Sequence, residues 1–160
     1  QLKTKNSVIR VMPNTPAQIG KGVSAISPGV NTSGADLTLA KNLLSNSGLV
    51  VEVSESNQDA VTALSGSGPA YFFSFVEAMI NAGVKLGLTN EIATQLAIGT
   101  ISGSAAMLKE SGLDATTLRK NVTSPNGTTA AALSVFTDSD LEKIVFDAMT
   151  AAKKRAQELA

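Results

Sequence analysis

The 160-residue sequence contains no cysteine and no histidine. The first absence removes disulfides, thiolate nucleophiles and thiolate metal sites. The second removes the commonest general base and the commonest metal ligand. Charge of one sign is lacking too: thirteen Lys and Arg balance thirteen Asp and Glu. With no basic excess to neutralise phosphates, a nucleic-acid role has little support. The start, QLKTKNSVIRV, lacks the apolar run of a signal peptide. The most membrane-like stretch, Ile92 to Leu108, carries no charge over 17 residues. It is short for a bilayer span and is broken by Thr94, Gln95, Thr100, Ser102 and Ser104. It reads as a buried helix, and the expectation is a soluble, cytoplasmic protein. Any chemistry must use hydroxyls, carboxylates, lysine, backbone amides or a borrowed cofactor.

What is present, 43% apolar residues at zero net charge, describes a globular chain with one ordinary domain or two small packed pieces. Its character changes near residue 54. Before that point, residues 7–12 and 22–26 are short β-prone runs, and Ser33-Gly34-Ala35-Asp36 caps an amphipathic helix to about Ser45. Gly48 ends that helix, and residues 49–53 read as a buried strand. Beyond it nearly everything is helical. Ser56 and Asp59 have capping-box spacing. Helices are expected from Pro69 to about Leu86, from Thr89 to Lys109, over 114–121 and over 127–136. A last one follows a capping box at Ser139 to Glu142. The Asp138/Asp140 pair is read as helix-start carboxylates in preference to metal ligands.

Two central helices bear on assembly. YFFSFVEAMINAGVKLGL is apolar on almost every face, which calls for cover on every face. In the next helix Ala93, Ala97, Gly99, Gly103 and Ala106 recur at the spacing that lets helices approach closely. A close crossing within the chain would explain the stripe; an interwoven dimer core is the reading favoured by the scarcity of charge in both helices.

Residues 65–70, SGSGPA, look like a dinucleotide-binding glycine loop, but that fingerprint needs three glycines after a strand. Here a helix precedes, Tyr71 holds the third glycine position, and Pro69 suits a first helical turn. The stretch is a helix–turn–helix corner, and no other such glycine pattern occurs. A second constellation is NVTSPNGTTAAALSVF. Ser124-Pro125-Asn126-Gly127 is a turn, and Thr128 and Thr129 stand at the first turn of a helix. Unpaired N–H groups and a positive dipole end there suit a carboxylate or phosphate, with hydroxyls of Thr123, Ser124, Thr128 and Thr129 at hand. As pattern alone, an ordinary capped helix is the simpler reading. Residues 12–17, MPNTPA, form a rigid polar loop directly after a strand, where α/β sheets place ligand-contacting loops; a plain structural turn is the simpler reading.

In combination these stretches resemble the pyrroline-5-carboxylate reductases over essentially the whole chain. VMPNTPAQIGKGVSAISPG is similar to the family's nicotinamide-side loop and following strand. DAVTALSGSGPAYFF is similar to its helix–turn–helix corner, NAGVKLGL to the end of its long central helix, and NVTSPNGTTAAAL to its signature. The resemblance implies an α+β, mostly α fold. Residues 1–53 would be the closing strands and helix of a Rossmann-like dinucleotide-binding domain, and 54–160 an all-helical dimerisation and substrate-binding domain. It also implies a missing N-terminal part of roughly one hundred residues carrying the glycine fingerprint for NADPH or NADH. The isolated chain would then be inactive.

The activity implied is reduction of 1-pyrroline-5-carboxylate to proline, the last step of proline biosynthesis, by an interwoven homodimer that assembles further in some relatives. Carried over by position, Thr129 would be the catalytic hydroxyl facing the ring nitrogen. Val122, Ser124, Gly127, Thr128 and Thr129 would bind the substrate, with its carboxylate on Ser124 and the N–H groups of Thr128 and Thr129. Met12, Pro13, Asn14 and Asn121 would border the cofactor, and the Ser65–Ala70 corner would shape the same pocket. Two departures stand out: Asn126-Gly127 where the family often has Gly-Gly, and residues 113–115 (LDA) where many relatives carry a glutamate. Two alternatives remain. One is a non-catalytic oligomerisation or small-carboxylate-binding module. The other is a different imine or β-hydroxyacid reductase, for which the long helix offers only Lys85.

Overall fold

The computed structural model describes residues 5–159. The elements run β1 (Ile9–Met12), β2 (Gly22–Pro28), α1 (Gly34–Ser45), β3 (Gly48–Glu52), α2 (Gln58–Val61), α3 (Gly68–Lys85), α4 (Asn90–Glu110), α5 (Ala115–Asn121), α6 (Thr128–Asp138) and α7 (Leu141–Leu159). The fold is α+β and mostly helical, as the sequence implies. Two compact units are present. The first runs to Tyr71 and includes the chain from Phe146; the second is Phe72–Val145.

In the first unit the sheet order is β1-β2-β3. β1 runs antiparallel to β2, pairing Met12 with Ala25, and β3 runs parallel to β2, pairing Gly22 with Gly48. α1 is the crossover that a parallel pair requires. As the central strand, β2 buries Ser24, Ala25, Ile26 and Ser27. Gly48 starts β3 at φ 135°, and a side chain there would collide with the carbonyl of Gly22. Only glycine lets the two strands enter the sheet side by side. α1 begins as the sequence requires: Asp36 N–H donates to Ser33 Oγ, and Ser33 N–H donates to the Asp36 carboxylate. The bonds from Ser33 hold the Asp36 carboxyl below its ordinary range.

A buried polar link joins the sheet to the first short helix. Gln58 is wholly buried at the start of α2, and its Nε2 donates to Ser27 Oγ at 2.6 Å. Ser27 Oγ in turn donates to the carbonyl of Val53 at 2.9 Å. The Oε1 of Gln58 has no partner, a cost of about 1–3 kcal/mol that offsets part of what the link contributes. The capping box expected at Ser56 and Asp59 does not form. Glu55–Asn57 is a 3-10 turn, Ser56 pairs its hydroxyl with that of Ser54, and the helix start at Asn57 has no side-chain cap.

In the second unit Thr89 caps α4 and Asp114 caps α5. The N–H and hydroxyl of Thr117 hold the Asp114 carboxyl below its ordinary range. The small-residue stripe of α4 divides. Ala93 and Ala97 are buried, and a methyl group on Gly83 of α3 would stand 3.2 Å from Ala93 Cβ. That half serves a crossing within the chain, whereas Gly99 and Gly103 face open space. Before α7 the cap falls one residue later than expected. Ser139 closes α6, while Asp140, at φ 52°, accepts from Lys143 N–H.

Apolar cover is thin. Among the described residues the buried apolar side chains are Ala25, Ile26, Ala63, Ala93 and Ala97. On α3, Phe72, Phe73 and Phe75 are 63%, 65% and 45% exposed, although Phe75 stacks obliquely on Phe136 at 6.3 Å. Fully burying one such ring stabilises by about 1.5–3 kcal/mol. No helix among the described residues is long and apolar enough to cross a membrane.

Candidate functional site

The residues singled out in the sequence form two groups, one in each compact unit. The first centres on Asn14. Met12 ends β1, Pro13 is exposed, and Thr15–Ile19 winds into a 3-10 turn with Pro16 in its first positions. Asn14 Oδ1 accepts from Val23 N–H at 2.8 Å, and its Nδ2 donates to the carbonyl of Ser65 at 3.1 Å. A methyl group on Gly66 would stand 3.4 Å from Met12 Sδ. The strand-end loop and the SGSGPA corner are therefore neighbours. The corner itself is a π turn, Thr62–Gly66, closed by Ser67 N–H on the carbonyl of Thr62. Tyr71 Oη braces it by donating to the carbonyl of Ala63 at 3.0 Å.

The second group runs from Asn121 to Thr129. Asn121 is the exposed last residue of α5, and Val122 after it is 63% exposed. Thr123 donates its hydroxyl to the carbonyl of Arg119 at 2.6 Å, so that proton is spent inside the chain and not on a ligand. The turn is closed by Gly127 N–H on the carbonyl of Ser124. Asn126 alone takes the positive φ, at 58°, as its third residue. An Asn tolerates that region far better than a branched residue. Gly127 is extended at φ −81° and serves as the N-cap of α6 without a side-chain capping bond.

Two consequences follow for the start of α6. The first backbone bond of the helix is Ala131 N–H to Gly127 carbonyl, which leaves the N–H groups of Thr128, Thr129 and Ala130 without helical partners. The threonine hydroxyls are also uncommitted. Elsewhere a helical threonine returns its hydroxyl to the carbonyl four residues back, as Thr137 does to Leu133 and Thr94 to Asn90. At the first turn no helical carbonyl lies behind Thr128 and Thr129. N–H groups, hydroxyls and dipole thus gather at one end that no side chain caps, an arrangement suited to a carboxylate.

A dinucleotide pyrophosphate finds no equivalent cradle among the described residues. The one strand–helix–strand unit among the described residues is β2–α1–β3, and the N-terminus of α1 is already filled by Ser33 and the charged Asp36. A carboxylate stands where a phosphate would need to sit. The described residues do not build a pyrophosphate site.

Residues 55–159 match the family model for pyrroline-5-carboxylate reductase dimerisation. The chain belongs to that family. It is 46% identical over 152 residues to a pyrroline-5-carboxylate reductase of Corynebacterium melassecola, covering 95% of this chain and 56% of the relative. A solved pyrroline-5-carboxylate reductase of Coxiella burnetii superposes with a TM-score of 0.96 at 38% identity, covering 99% of this chain and 59% of that one. The Plasmodium falciparum enzyme, solved with NADP bound, superposes at 0.90 with 34% identity over 97% of this chain and 62% of its own. The chain spans little more than half the length of the curated relatives it matches. The family match falls on the helical part of the chain together with the corner at residues 62–70.

Proposed function

We propose that this chain supplies the substrate site and the dimer interface of an NADPH- or NADH-dependent pyrroline-5-carboxylate reductase. In this reading residues 1–53 close a dinucleotide-binding domain and 54–160 form the dimerisation and substrate domain. The observation that carries it is the uncapped start of α6, with its free N–H groups and hydroxyls, inside a chain of this family.

A reduced nicotinamide, when bound, supplies the hydride. The chain's own residues do the rest by position. Ser124 and the N–H groups of Thr128 and Thr129 hold the carboxylate of 1-pyrroline-5-carboxylate against the helix dipole. Val122 and Gly127 border the ring. The Thr129 hydroxyl faces the ring nitrogen and orients it by a hydrogen bond. An unperturbed hydroxyl is a weak acid, so orientation or relay suits it better than full proton donation. Met12, Pro13 and Asn14 border the nicotinamide.

The exposed phenylalanines of α3 and the open Gly99 and Gly103 of α4 support a homodimer with interwoven helices. Sedimentation velocity of the 160-residue chain should show a dimer at micromolar concentration; a well-folded monomer would defeat this part of the reading. A cytoplasmic location fits a proline-forming enzyme. The competing reading, a non-catalytic assembly module, is favoured by the absence of a pyrophosphate cradle among the described residues. Turnover of the imino acid by the chain joined to a dinucleotide-binding domain separates the two.

A further inference from the structure

Asn14 is held by two backbone groups of opposite kind. Val23 N–H only donates and the Ser65 carbonyl only accepts, so the orientation of the amide is forced. The Ser65 carbonyl needs this donor for a specific reason. In a continuing α-helix its partner would be the N–H of residue 69, which is proline and has none, and the next N–H along, that of Ala70, donates to the Ser67 carbonyl instead. The Asn14 amide fills the vacancy that Pro69 creates. Asn14 is extended at φ −134° and does not cap the turn that follows it, so local helix capping does not account for the residue. On the other side of the same junction, Met12 lies against Gly66.

We infer that Asn14 is a positioning residue for the reduction. Its side chain is consumed in clamping the Met12–Asn14 loop to the Ser65–Pro69 corner, and it thereby sets where Met12 and Pro13 stand beside the nicotinamide. Its amide is not itself a cofactor ligand. This rests on the reading that the loop borders the nicotinamide.

The test is Asn14→Asp in the chain joined to a dinucleotide-binding domain. The new carboxylate keeps the shape and still accepts from Val23 N–H, but it sets an oxygen against the Ser65 carbonyl in place of a donor. The expected result is a kcat lowered by about 10- to 100-fold, the size that misplacement of reacting partners by up to about 1 Å produces, with KM for imino acid and nicotinamide little changed. Hydrogen exchange at Val23 N–H should stay slow in N14D and become fast in Asn14→Ala. Asn14→Ala also serves if N14D folds poorly, since water can reach the half-buried groups it frees; the same kcat loss is expected. A wild-type kcat in both variants, with only a lowered Tm, would reduce Asn14 to a stability element. A raised KM for the nicotinamide at unchanged kcat would make it a direct ligand. Either result overturns the clamp. An inactive wild-type protein would instead remove the functional reading on which the clamp rests.

Discussion

Thr129→Ala, made in the chain joined to a dinucleotide-binding domain, is expected to lower kcat about 100-fold, at the low end of what a positioned proton-transfer partner supplies. KM for the imino acid should change far less. The asymmetry follows from where the two interactions lie. In the proposed site the carboxylate would be held by backbone N–H groups at the start of α6, and these survive the substitution because alanine keeps the helix. The hydroxyl, by contrast, would meet the ring nitrogen, where basicity rises as the C=N bond is reduced, so its bond would strengthen toward the transition state. Among the described residues nothing competes for it: no helical carbonyl lies behind the first turn, and no hydrogen bond from Thr129 to another described residue forms. Thr129→Ser should recover most of the rate. Steady-state kinetics on the three proteins decides the matter, and a Thr129→Ala variant with wild-type kcat would remove Thr129 from the chemistry.

Gly127→Ala should act on binding instead. The φ of −81° is open to alanine, so the backbone imposes no penalty. Space does. A methyl group at residue 127 would stand 2.4 Å from Ser124 Oγ and 3.2 Å from the Ser124 carbonyl oxygen. The carbonyl is tied into the turn by Gly127 N–H, so the hydroxyl must swing away. If that hydroxyl bonds the substrate carboxylate, the loss is that of a bond to a charged group, about 1.5–3 kcal/mol. KM should rise by about 10- to 100-fold on that basis, with kcat much less affected. The turn is exposed, so Tm should hardly move. An unchanged KM would mean that Ser124 does not touch the substrate.

The parts of this fold that were legible in the sequence are those decided within a few residues. Ser33 and Asp36 announce α1 because a capping box is a local contract between residues three apart. The Asn126-Gly127 turn was legible too, although the sequence alone does not say which of the two needs positive φ. The Ser56 and Asp59 spacing misled because Ser54 offered Ser56 a nearer partner, and a 3-10 turn formed first. At the last helix two candidate caps stood side by side, and Asp140, able to take φ 52°, displaced Ser139.

What the sequence withheld is long-range. Asn14 and Ser65 are fifty-one residues apart, and no periodicity links them. The missing N–H of Pro69 was the one available signal, because it leaves a carbonyl at the end of the preceding turn looking for a donor. The buried pair Gln58 and Ser27 was hidden in the same way, each residue looking ordinary in its own segment. At the candidate carboxylate site the residues were legible but their commitments were not. Thr123 and Thr129 are both threonines in one motif, yet only Thr123 has a helical carbonyl four residues behind it to spend its proton on.

The central claim is that this chain carries the imino-acid site of a reductase. Its most direct test is the loss of reduced-nicotinamide absorbance with 1-pyrroline-5-carboxylate, measured for the chain joined to an N-terminal dinucleotide-binding domain and for the chain alone. Turnover that yields proline is expected in the joined protein and none in the chain alone. A joined protein that folds, dimerises and binds NADPH yet leaves the imino acid unreduced would contradict it.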